Sequence, residues 1–352
     1  MEKQRYYGID LARAVAISLV LAVHSFLYNG FYDAPLQGFG MAVGTILRMA
    51  FISAVPMFLL LTGYLCVGRK WSKGYYRKLL PVLLTYLLAS VVCLAFRMLW
   101  LKEEITVLGI FRRILDFSAA PYGWYMEMYI GLFLLMPFLN TAWHVLEERG
   151  KKVLLVTLIV MTALPPLVNL YYQIIPDWWT GIYPLTYYAL GAWLREHPVK
   201  RGKGWLLLGW IGLAAVAGLV QYAAQQALRP GQPFYSWDYN YRASLLTLAQ
   251  TVCLFSALRQ FDGSRTPAPV RWCISRVARL TLPIYLLSYI TDVLIYRVLC
   301  KAVPTVIGRM CFLPVTVLIG LAVAGLAAWA LDWVVNTIVK RLPDEKKVKT
   351  PV

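Results

Sequence analysis

Long runs of apolar residues constrain the fold of this 352-residue chain more than any other feature. Hydrophobic residues make up 60% of the chain, above the share found in soluble domains. A helix crosses the hydrocarbon core of a bilayer with about 20 apolar residues. The predicted fold class is therefore an all-α polytopic membrane protein with about ten transmembrane helices, in contact with membrane lipid. The predicted spans cover residues 9–29, 43–66, 79–98, 123–142, 152–172, 180–195, 205–226, 243–260, 280–298 and 312–339.

The distribution of positive charge predicts the orientation of the chain. The formal net charge is +18, and the basic residues lie in short segments between the apolar runs. With the N-terminus inside, cytoplasmic segments hold 24 Lys and Arg residues and outer segments hold 9. This asymmetry predicts that both termini are cytoplasmic. It also argues against a nucleic-acid partner, because no basic domain is present.

One membrane domain, residues 1–340, is expected to account for almost the whole chain, followed by a short basic cytoplasmic tail, residues 341–352. The six cysteines show no metal-binding spacing, so no metal is expected. Cys300 and Cys311 flank the last outer loop, and the sequence leaves open whether they form a disulfide.

Arg13 and His24 are the most informative ionisable pair. Eleven residues separate them in the first span. At 100° per residue they share one helical face, and the rise between them is about 16 Å. His24 is the best candidate for a general base, because imidazole titrates near neutrality. Glu127 is a candidate to orient or charge-stabilise that imidazole.

Four ionisable groups are predicted to share one depth in the membrane. His24, Arg48, Glu127 and Asp292 all fall about 6–9 Å beneath the outer boundary at 1.5 Å per residue. Ionisable groups are costly in hydrocarbon, so the four side chains are candidates to converge on one cavity. For Arg48, binding of an anionic acceptor, oxyanion stabilisation and an ion pair with Glu127 are all open.

Two further polar sets accompany this layer. Tyr285, Ser288 and Asp292 share a helical face, as either a polar lining or an interhelical network. At the inner end, Asp10 lies three residues before Arg13, and Arg77 and Lys78 end a cation-dense loop. That loop fits either the positive-inside rule or a phosphate site for a nucleotide-containing donor.

An ordered set of short motifs resembles the membrane acyltransferase-3 family, which O-acylates cell-envelope glycans and other envelope molecules. Arg13 and His24 have the spacing of that family's first-helix signature. Thr62-Gly63-Tyr64-Leu65 is similar to its Ser-Gly-Phe/Tyr-Leu element, with threonine for serine. The other similar segments are residues 76–81, 124–139, 188–194 and 282–288.

The resemblance implies an enzyme that takes an acyl group from acetyl-CoA or another acyl-CoA in the cytoplasm. The implied acceptor is a hydroxyl of an extracytoplasmic glycan, lipid-linked glycan or small envelope molecule. His24 would then be the catalytic base, and Arg13 with Arg77 would steady the donor's phosphates. Together with the residues singled out from the sequence itself, the predicted site has His24 and Glu127 as catalytic residues and binds the donor through Asp10, Arg13, Arg77 and Lys78. The predicted acceptor-binding residues are Arg48, Trp124, Tyr125, Tyr285, Ser288 and Asp292.

The sequence departs from the family pattern at one position and leaves several questions open. Ser288 occupies the place where the family often has a histidine. Transfer could be direct or pass through Ser25, Ser53 or Thr62. The expected location is a bacterial cell membrane, with a homodimer or an envelope-synthesis partner left open. The alternatives are a transporter of a polysaccharide or small amino acid and a structural membrane subunit.

Overall fold

The computed structural model describes residues 6–72, 74–169, 172–237 and 241–341. These residues form helices and no strand, apart from an isolated bridge between Pro35 and Pro233. The all-α prediction is confirmed. The α-helices, numbered α1 to α15, are Tyr7–Tyr28, Gly38–Phe51, Ala54–Cys66, Leu80–Leu99, Val107–Leu115, Trp124–Val145, Glu148–Ala163, Pro165–Val168, Tyr183–Glu196, Lys203–Leu228, Leu245–Leu258, Ala268–Arg279, Thr281–Ala302, Val306–Cys311 and Leu313–Arg341.

Within the described residues, seven helical segments are long and apolar enough to cross a membrane. They are Tyr7–Tyr28, Gly38–Cys66, Tyr76–Leu99, Trp124–Val145, Lys203–Leu228, Thr281–Ala302 and Leu313–Arg341. The other three predicted spans correspond to α7, α9 and α11, of 16, 14 and 14 residues. A 14-residue helix rises only about 21 Å, less than the hydrocarbon thickness. The chain is a multi-pass membrane protein, while the count of ten and the cytoplasmic termini stay predictions.

The second predicted span is a broken helix. Helix α2 ends at Phe51, and α3 begins at Ala54. Pro56 lies in the first turn of α3, where it has no backbone N–H to donate to the preceding turn. The Ser53 hydroxyl donates instead to the Ala50 carbonyl at 2.7 Å. The predicted span over 43–66 is confirmed, because α2 and α3 together form the spanning segment Gly38–Cys66, although the helix is broken between them.

Helix α1 lies centrally and packs against α2, α3, α11, α12, α13 and α15. It therefore holds Arg13 and His24 inside the bundle rather than against lipid. Close approach of α3 and α9 supports this arrangement. A Cβ on Gly63 would lie 1.9 Å from the Tyr188 carbonyl oxygen, and a Cβ on Gly191 would lie 2.1 Å from the Leu60 carbonyl oxygen. The two glycines, each within a family-like motif, thus allow backbone contact between these helices.

A polar clamp from α6 fixes the end of α3. The Asn140 amide nitrogen donates to the carbonyls of Cys66 and Arg69, at 2.8 and 2.7 Å. The Tyr188 hydroxyl donates to the Asn140 side-chain oxygen at 2.7 Å. Asn140 is buried, so both ends of its amide are satisfied inside the protein. This clamp sets the position of Arg69 at the end of the bundle.

Three helices, α5, α12 and the six-residue α14, lie in segments that were predicted to be loops. Helix α5 carries its apolar residues on an exposed face, with Leu108 78% and Phe111 61% exposed. Helix α12 packs against α1 and delivers Arg279 beside the start of α13. Both segments are too short and too charged to be recognised as spans, which is why the hydrophobic pattern missed them.

Residues 342–352 of the predicted tail lie outside the described residues.

Candidate active site

A cavity of about 380 Å³ lies between α1, α3, α6 and α13. Arg13 and Val20 line it from α1, one face of the helix that also carries His24. Its walls are apolar or aromatic along most of their length. The lining also includes Val55, Phe58, Leu61, Thr62, Leu65, Cys66, Arg69, Val82, Tyr125, Tyr129, Ala278, Arg279, Thr281, Leu282 and Tyr285.

One end of the cavity is basic. Arg13, Arg69 and Arg279 come from α1, from the residues just after α3 and from the end of α12. Arg69 and Arg279 are exposed, whereas Arg13 is partly buried. Three guanidinium groups from three separate elements can bind the oxygens of several phosphate groups at once. This end can therefore hold a polyanion.

The other end of the cavity is formed by tyrosines. Tyr125 and Tyr285 lie with ring centroids 5.5 Å apart, and the Phe58 ring is 6.4 Å from Tyr125. The Tyr285 hydroxyl donates to the Tyr122 carbonyl at 2.6 Å. The Tyr285 ring is in turn 5.9 Å from the His24 imidazole. The cavity thus ends against a residue that contacts His24.

The His24 imidazole is positioned by stacking on an aromatic ring, and its buried Nδ1 atom has no hydrogen-bond partner among the described residues. The imidazole stacks on Tyr122, with ring centroids 3.6 Å apart and planes at 25°. His24 as a whole is only partly buried. An imidazole with an unpartnered nitrogen is available to a substrate group.

Tyr122 is fixed from both sides. Its hydroxyl donates to Asp292 Oδ2 at 2.7 Å. The preceding loop is tied down by Arg97, which donates to the carbonyls of Ser118 and Ala119 at 3.0 and 3.2 Å. These contacts hold the tyrosine ring flat beneath His24, so Asp292 reaches the imidazole only through Tyr122.

A tight turn completes this support. Phe117 has a φ of 58°, in the left-handed region. A Cβ on Gly123 would lie 2.0 Å from the Phe117 carbonyl oxygen. Glycine is therefore required immediately after Tyr122 for the chain to enter α6.

A family model described as an acyltransferase domain, Acyl_transf_3, matches residues 6–329. This match covers most of the chain, including every helix that forms the cavity. The chain belongs to the acyltransferase-3 family. Neither a curated protein nor a solved structure matches the chain. As an acyltransferase-3 protein it is a membrane acyltransferase, and four of the family-like motifs, those with Arg13, Thr62, Tyr125 and Tyr285, contribute residues to the cavity lining.

The structure does not bring Glu127 to His24. Glu127 is exposed on α6 and forms no ion pair or hydrogen bond with the described residues. The ring beneath His24 belongs to Tyr122 instead. Depth in the membrane was predicted from position along each helix, and it does not determine which way a side chain points. The expectation that Glu127 orients the imidazole gains no support from this geometry.

Arg48 lies in a separate cluster. Its Nε donates to the Tyr32 hydroxyl at 2.8 Å, and its guanidinium lies 4.5 Å from the Phe234 ring centroid. It is 6% exposed and pairs with no carboxylate in the described part of the chain. The ion pair with Glu127 is therefore not formed, and the four ionisable groups do not share one cavity.

The three polar residues predicted to share one face of α13, Tyr285, Ser288 and Asp292, have different surroundings. Tyr285 lines the cavity, and Asp292 accepts from Tyr122. The Ser288 hydroxyl donates to the Tyr285 carbonyl within its own helix at 2.9 Å. Ser288 therefore does not line the cavity, and Asp292 belongs to an interhelical hydrogen-bond network.

The remaining predicted donor residues lie outside the cavity lining. Arg77 and Lys78 are exposed, in the short 3-10 helix Tyr76–Leu79. Asp10 is buried in α1 and does not line the cavity. Arg69 and Arg279, and not Arg77 or Lys78, join Arg13 in the cavity lining. In the sequence, Arg69 and Arg279 are not distinguished from the other loop cations of the positive-inside pattern.

Trp124 and Tyr125 begin α6 and have different neighbours. Tyr125 faces the cavity, whereas the Trp124 ring lies beneath the Arg242 guanidinium at 4.1 Å. Arg242 was not among the predicted site residues, because an outer-loop arginine carries no distinguishing signal. The structure places its guanidinium over the ring that follows Tyr122 by two residues.

The structure bears on which hydroxyl group could carry an acyl group and on whether Cys300 and Cys311 form a disulfide. Ser25 and Ser53 are buried and donate to the carbonyls of Ala22 and Ala50. Of the three hydroxyls considered as acyl carriers, only Thr62 lines the cavity. Cys300 and Cys311 are free thiols, so no disulfide joins them.

Proposed function

We propose that this membrane acyltransferase transfers an acyl group, acetyl in the first instance, from cytoplasmic acyl-CoA to an acceptor hydroxyl. The acceptor is an extracytoplasmic glycan, lipid-linked glycan or small envelope molecule, and the membrane is a bacterial cell membrane. One observation carries the proposal. The cavity runs from three arginines to a tyrosine that contacts His24.

The basic end suits the donor's phosphates. Coenzyme A carries a pyrophosphate and a 3′-phosphate, and Arg13, Arg69 and Arg279 offer three guanidinium groups to them. The Asn140 clamp on the Arg69 carbonyl holds one of these arginines in place. Arg77 and Lys78 are exposed nearby in sequence and serve as an outer ring of positive charge.

The apolar walls suit the donor's arm. The rise from Arg13 to His24 along α1 is about 16 Å, within reach of an extended pantetheine. Phe58, Thr62 and Tyr125 line the path between the two ends. A thioester drawn along this path approaches Tyr285, whose ring lies 5.9 Å from the imidazole.

His24 acts as the general base in this proposal. A lone pair on the imidazole takes the proton of the acceptor hydroxyl as its oxygen attacks the thioester carbonyl carbon. The carbonyl π electrons move to oxygen, and the tetrahedral intermediate collapses to an ester as the C–S bond breaks. The proton passes from His24 to the departing thiolate, which leaves as CoA thiol. The Tyr122 stack keeps the imidazole in one orientation without using its nitrogens.

Acetyl-CoA binding to the purified full-length protein tests the donor half of the proposal. Arg69→Ala and Arg279→Ala are expected to weaken binding by about tenfold or more, because each removes a charge-assisted hydrogen-bonding group. Arg271→Ala is the matched control, since it removes an equal charge from an exposed position of α12, outside the cavity lining.

Turnover of acetyl-CoA tests the catalytic half. His24→Ala is expected to bind acetyl-CoA normally but to lose turnover. A folded protein that binds no acyl-CoA, combined with solute flux that survives His24→Ala, would replace the enzyme with a transporter. Normal function in both His24→Ala and Arg13→Ala would instead indicate a structural subunit.

A further inference from the structure

Arg242 lies just before α11, in a segment held by hydrogen bonds to neighbouring helices. Its backbone carbonyl accepts a hydrogen bond from the Tyr187 hydroxyl at 2.7 Å. Two residues later, Ser244 caps the helix, because its hydroxyl accepts from the Thr247 backbone N–H at 3.2 Å. The backbone that carries Arg242 is therefore fixed by α9 and α11, and the side chain extends from an anchored point.

Aromatic rings support the guanidinium group. Its central carbon lies 4.1 Å from the Trp124 ring centroid and 4.7 Å from the Tyr241 ring centroid. One nitrogen also donates to the Tyr241 hydroxyl. Stacking of this kind holds the plane of an arginine and leaves its N–H groups at the edge, where Tyr183 is a further hydrogen-bonding neighbour. Those groups are the ones that bind carboxylate or phosphate in a two-pronged geometry.

No carboxylate neutralises Arg242 within the described residues, since none forms an ion pair with it. Some other arginines of the protein are paired. Arg97 and Arg113, for example, both contact Glu103, at 2.8 and 3.3 Å. A partly buried cation without an anion is costly, so the position favours a ligand that brings one.

Arg242 lies at the end of the site away from the donor arginines. His24 is about 16 Å from Arg13 along α1. The ring beneath the Arg242 guanidinium, Trp124, follows Tyr122 by two residues, and Tyr122 stacks on His24. A ligand on Arg242 would therefore lie at the tyrosine end of the site.

We infer that Arg242 binds an anionic group of the acceptor, a carboxylate, phosphate or sulfate on a glycan, and so places the reacting hydroxyl at His24. This inference rests on the proposed function and names the substrate class. It also resolves an electrostatic conflict. When His24 accepts a proton, two positive charges become neighbours, and they repel each other. An anion bound at Arg242 offsets that repulsion as the transition state forms.

Protection of His24 from diethyl pyrocarbonate, a reagent that acylates imidazole nitrogen, tests the inference without requiring the natural acceptor. The full-length protein in detergent is treated with the reagent alone, with glucuronate or with glucose, and the modified histidines are read by mass spectrometry. Glucuronate is expected to slow modification of His24, whereas neutral glucose is not. His197 serves as the internal reference, because its side chain is accessible to solvent. It pairs with Glu148, and both residues are distant from His24 in the sequence.

Variants separate the binding of anions at Arg242 from general effects. Arg242→Gln is expected to weaken glucuronate protection by about tenfold, because a charged hydrogen-bond partner is lost. Arg242→Lys should retain part of it. Arg229→Gln is the matched control, since Arg229 stacks on Tyr235 at 4.5 Å in the same way but away from His24.

Several outcomes would overturn the inference. They are equal protection in Arg242→Gln and the native protein, no protection in the native protein, and a His24 that never reacts. Acetyl-CoA binding measured on the same samples distinguishes failure of the Arg242 inference from failure of the proposed function. Intact donor binding with failed protection rejects the Arg242 site alone, whereas absent donor binding rejects the proposed function.

Discussion

The imidazole of His24 and the phenol ring of Tyr122 lie face to face, with 3.6 Å between their centroids. The Tyr122 hydroxyl donates to the buried Asp292 carboxylate at 2.7 Å. The acidic group is therefore joined to the histidine through a stacked ring. In a Ser-His-Asp triad, by contrast, the carboxylate binds an imidazole nitrogen directly. Here the buried Nδ1 atom of His24 has no hydrogen-bond partner among the described residues, and the tyrosine sets the direction of the ring.

The first prediction concerns this stack. Tyr122→Phe keeps the ring and removes the hydroxyl, so acetyl-CoA turnover should fall only several-fold. The variant should also lose about 1–3 kcal/mol of stability, because Asp292 loses its partner in a buried setting. Tyr122→Ala removes the stack itself and should approach His24→Ala, which is expected to lose a factor of about 10²–10⁴ in turnover.

Turnover and apparent melting temperature, measured together for the three variants and for Asp292→Asn, check this ordering. Asp292→Asn keeps an acceptor oxygen for Tyr122 and should behave like the native protein. A Tyr122→Phe variant as inactive as His24→Ala would contradict the ordering and would assign the hydroxyl a direct role.

The second prediction concerns the cavity. Thr62 lines it and is only partly buried, with its hydroxyl donated to the Phe58 carbonyl at 2.7 Å. Thr62→Phe places a ring in the path of the pantetheine arm. Turnover and acetyl-CoA affinity should fall, while adenosine 3′,5′-bisphosphate, which needs only the arginine end, should bind as before.

Thr62→Val is the matched control, because it keeps the volume and removes the hydroxyl. Near-native turnover in Thr62→Val is expected for direct transfer. Loss of turnover there, with acetyl-CoA binding intact, would make Thr62 an acyl carrier and would contradict direct transfer. Equal loss of both ligands in Thr62→Phe would place the donor elsewhere.

The parts of the site that sequence could predict are those where the membrane makes polarity expensive. Arg13 and His24 stand out because an ionisable group inside an apolar run is rare without a function. Arg69 and Arg279 could not be separated from other loop cations, since the positive-inside rule places many such residues at the same boundary. Tyr122 is one of 23 tyrosines and has no motif that identifies it.

The errors in the predicted site have one physical origin. Depth follows from counting residues along a helix, and the shared depth of His24, Arg48, Glu127 and Asp292 suggested a single cluster. The direction of each side chain depends on helix rotation and packing, which one sequence does not reveal. The structure joins His24 to Asp292 through Tyr122, leaves Glu127 exposed and packs Arg48 with Tyr32. The all-α class needed only hydropathy and was therefore predictable.

The third prediction concerns the contact of α3 with α9. A Cβ on Gly63 would lie 1.9 Å from a backbone oxygen, which no side-chain movement can relieve. Gly63→Ala should therefore lower the apparent melting temperature, with a cost of about 1–3 kcal/mol from overpacking. Gly212→Ala, in α10, has nothing within 4 Å of the new methyl group and should be neutral or slightly stabilising.

Melting of the detergent-solubilised variants at a fixed heating rate checks this pair, since membrane proteins often unfold irreversibly. Because Gly63 sets the position of α3, Gly63→Ala should also reduce acetyl-CoA binding. A Gly63→Ala protein that melts like Gly212→Ala would show that α3 and α9 lie farther apart than this packing requires.

The last prediction concerns pH and the loop that carries Tyr122. The hydrogen bonds from Arg97 to Glu103, aided by the charge of Arg113, lower the pKa of that carboxyl group below its usual 4.5. A lowered folded-state pKa stabilises the protein above the unfolded value. That contribution is lost as the pH falls through the folded-state pKa. Glu103→Gln should therefore melt below the native protein near about pH 7, and the difference should shrink below about pH 4.5. Glu104→Gln, which removes an exposed neighbouring carboxylate, should show no such difference.

Arg97 also holds the Ser118 and Ala119 carbonyls, so loss of Glu103 loosens the segment that leads to Tyr122. Turnover of Glu103→Gln should fall together with its melting temperature. A native-like melting curve for Glu103→Gln across the whole pH range would contradict this coupling.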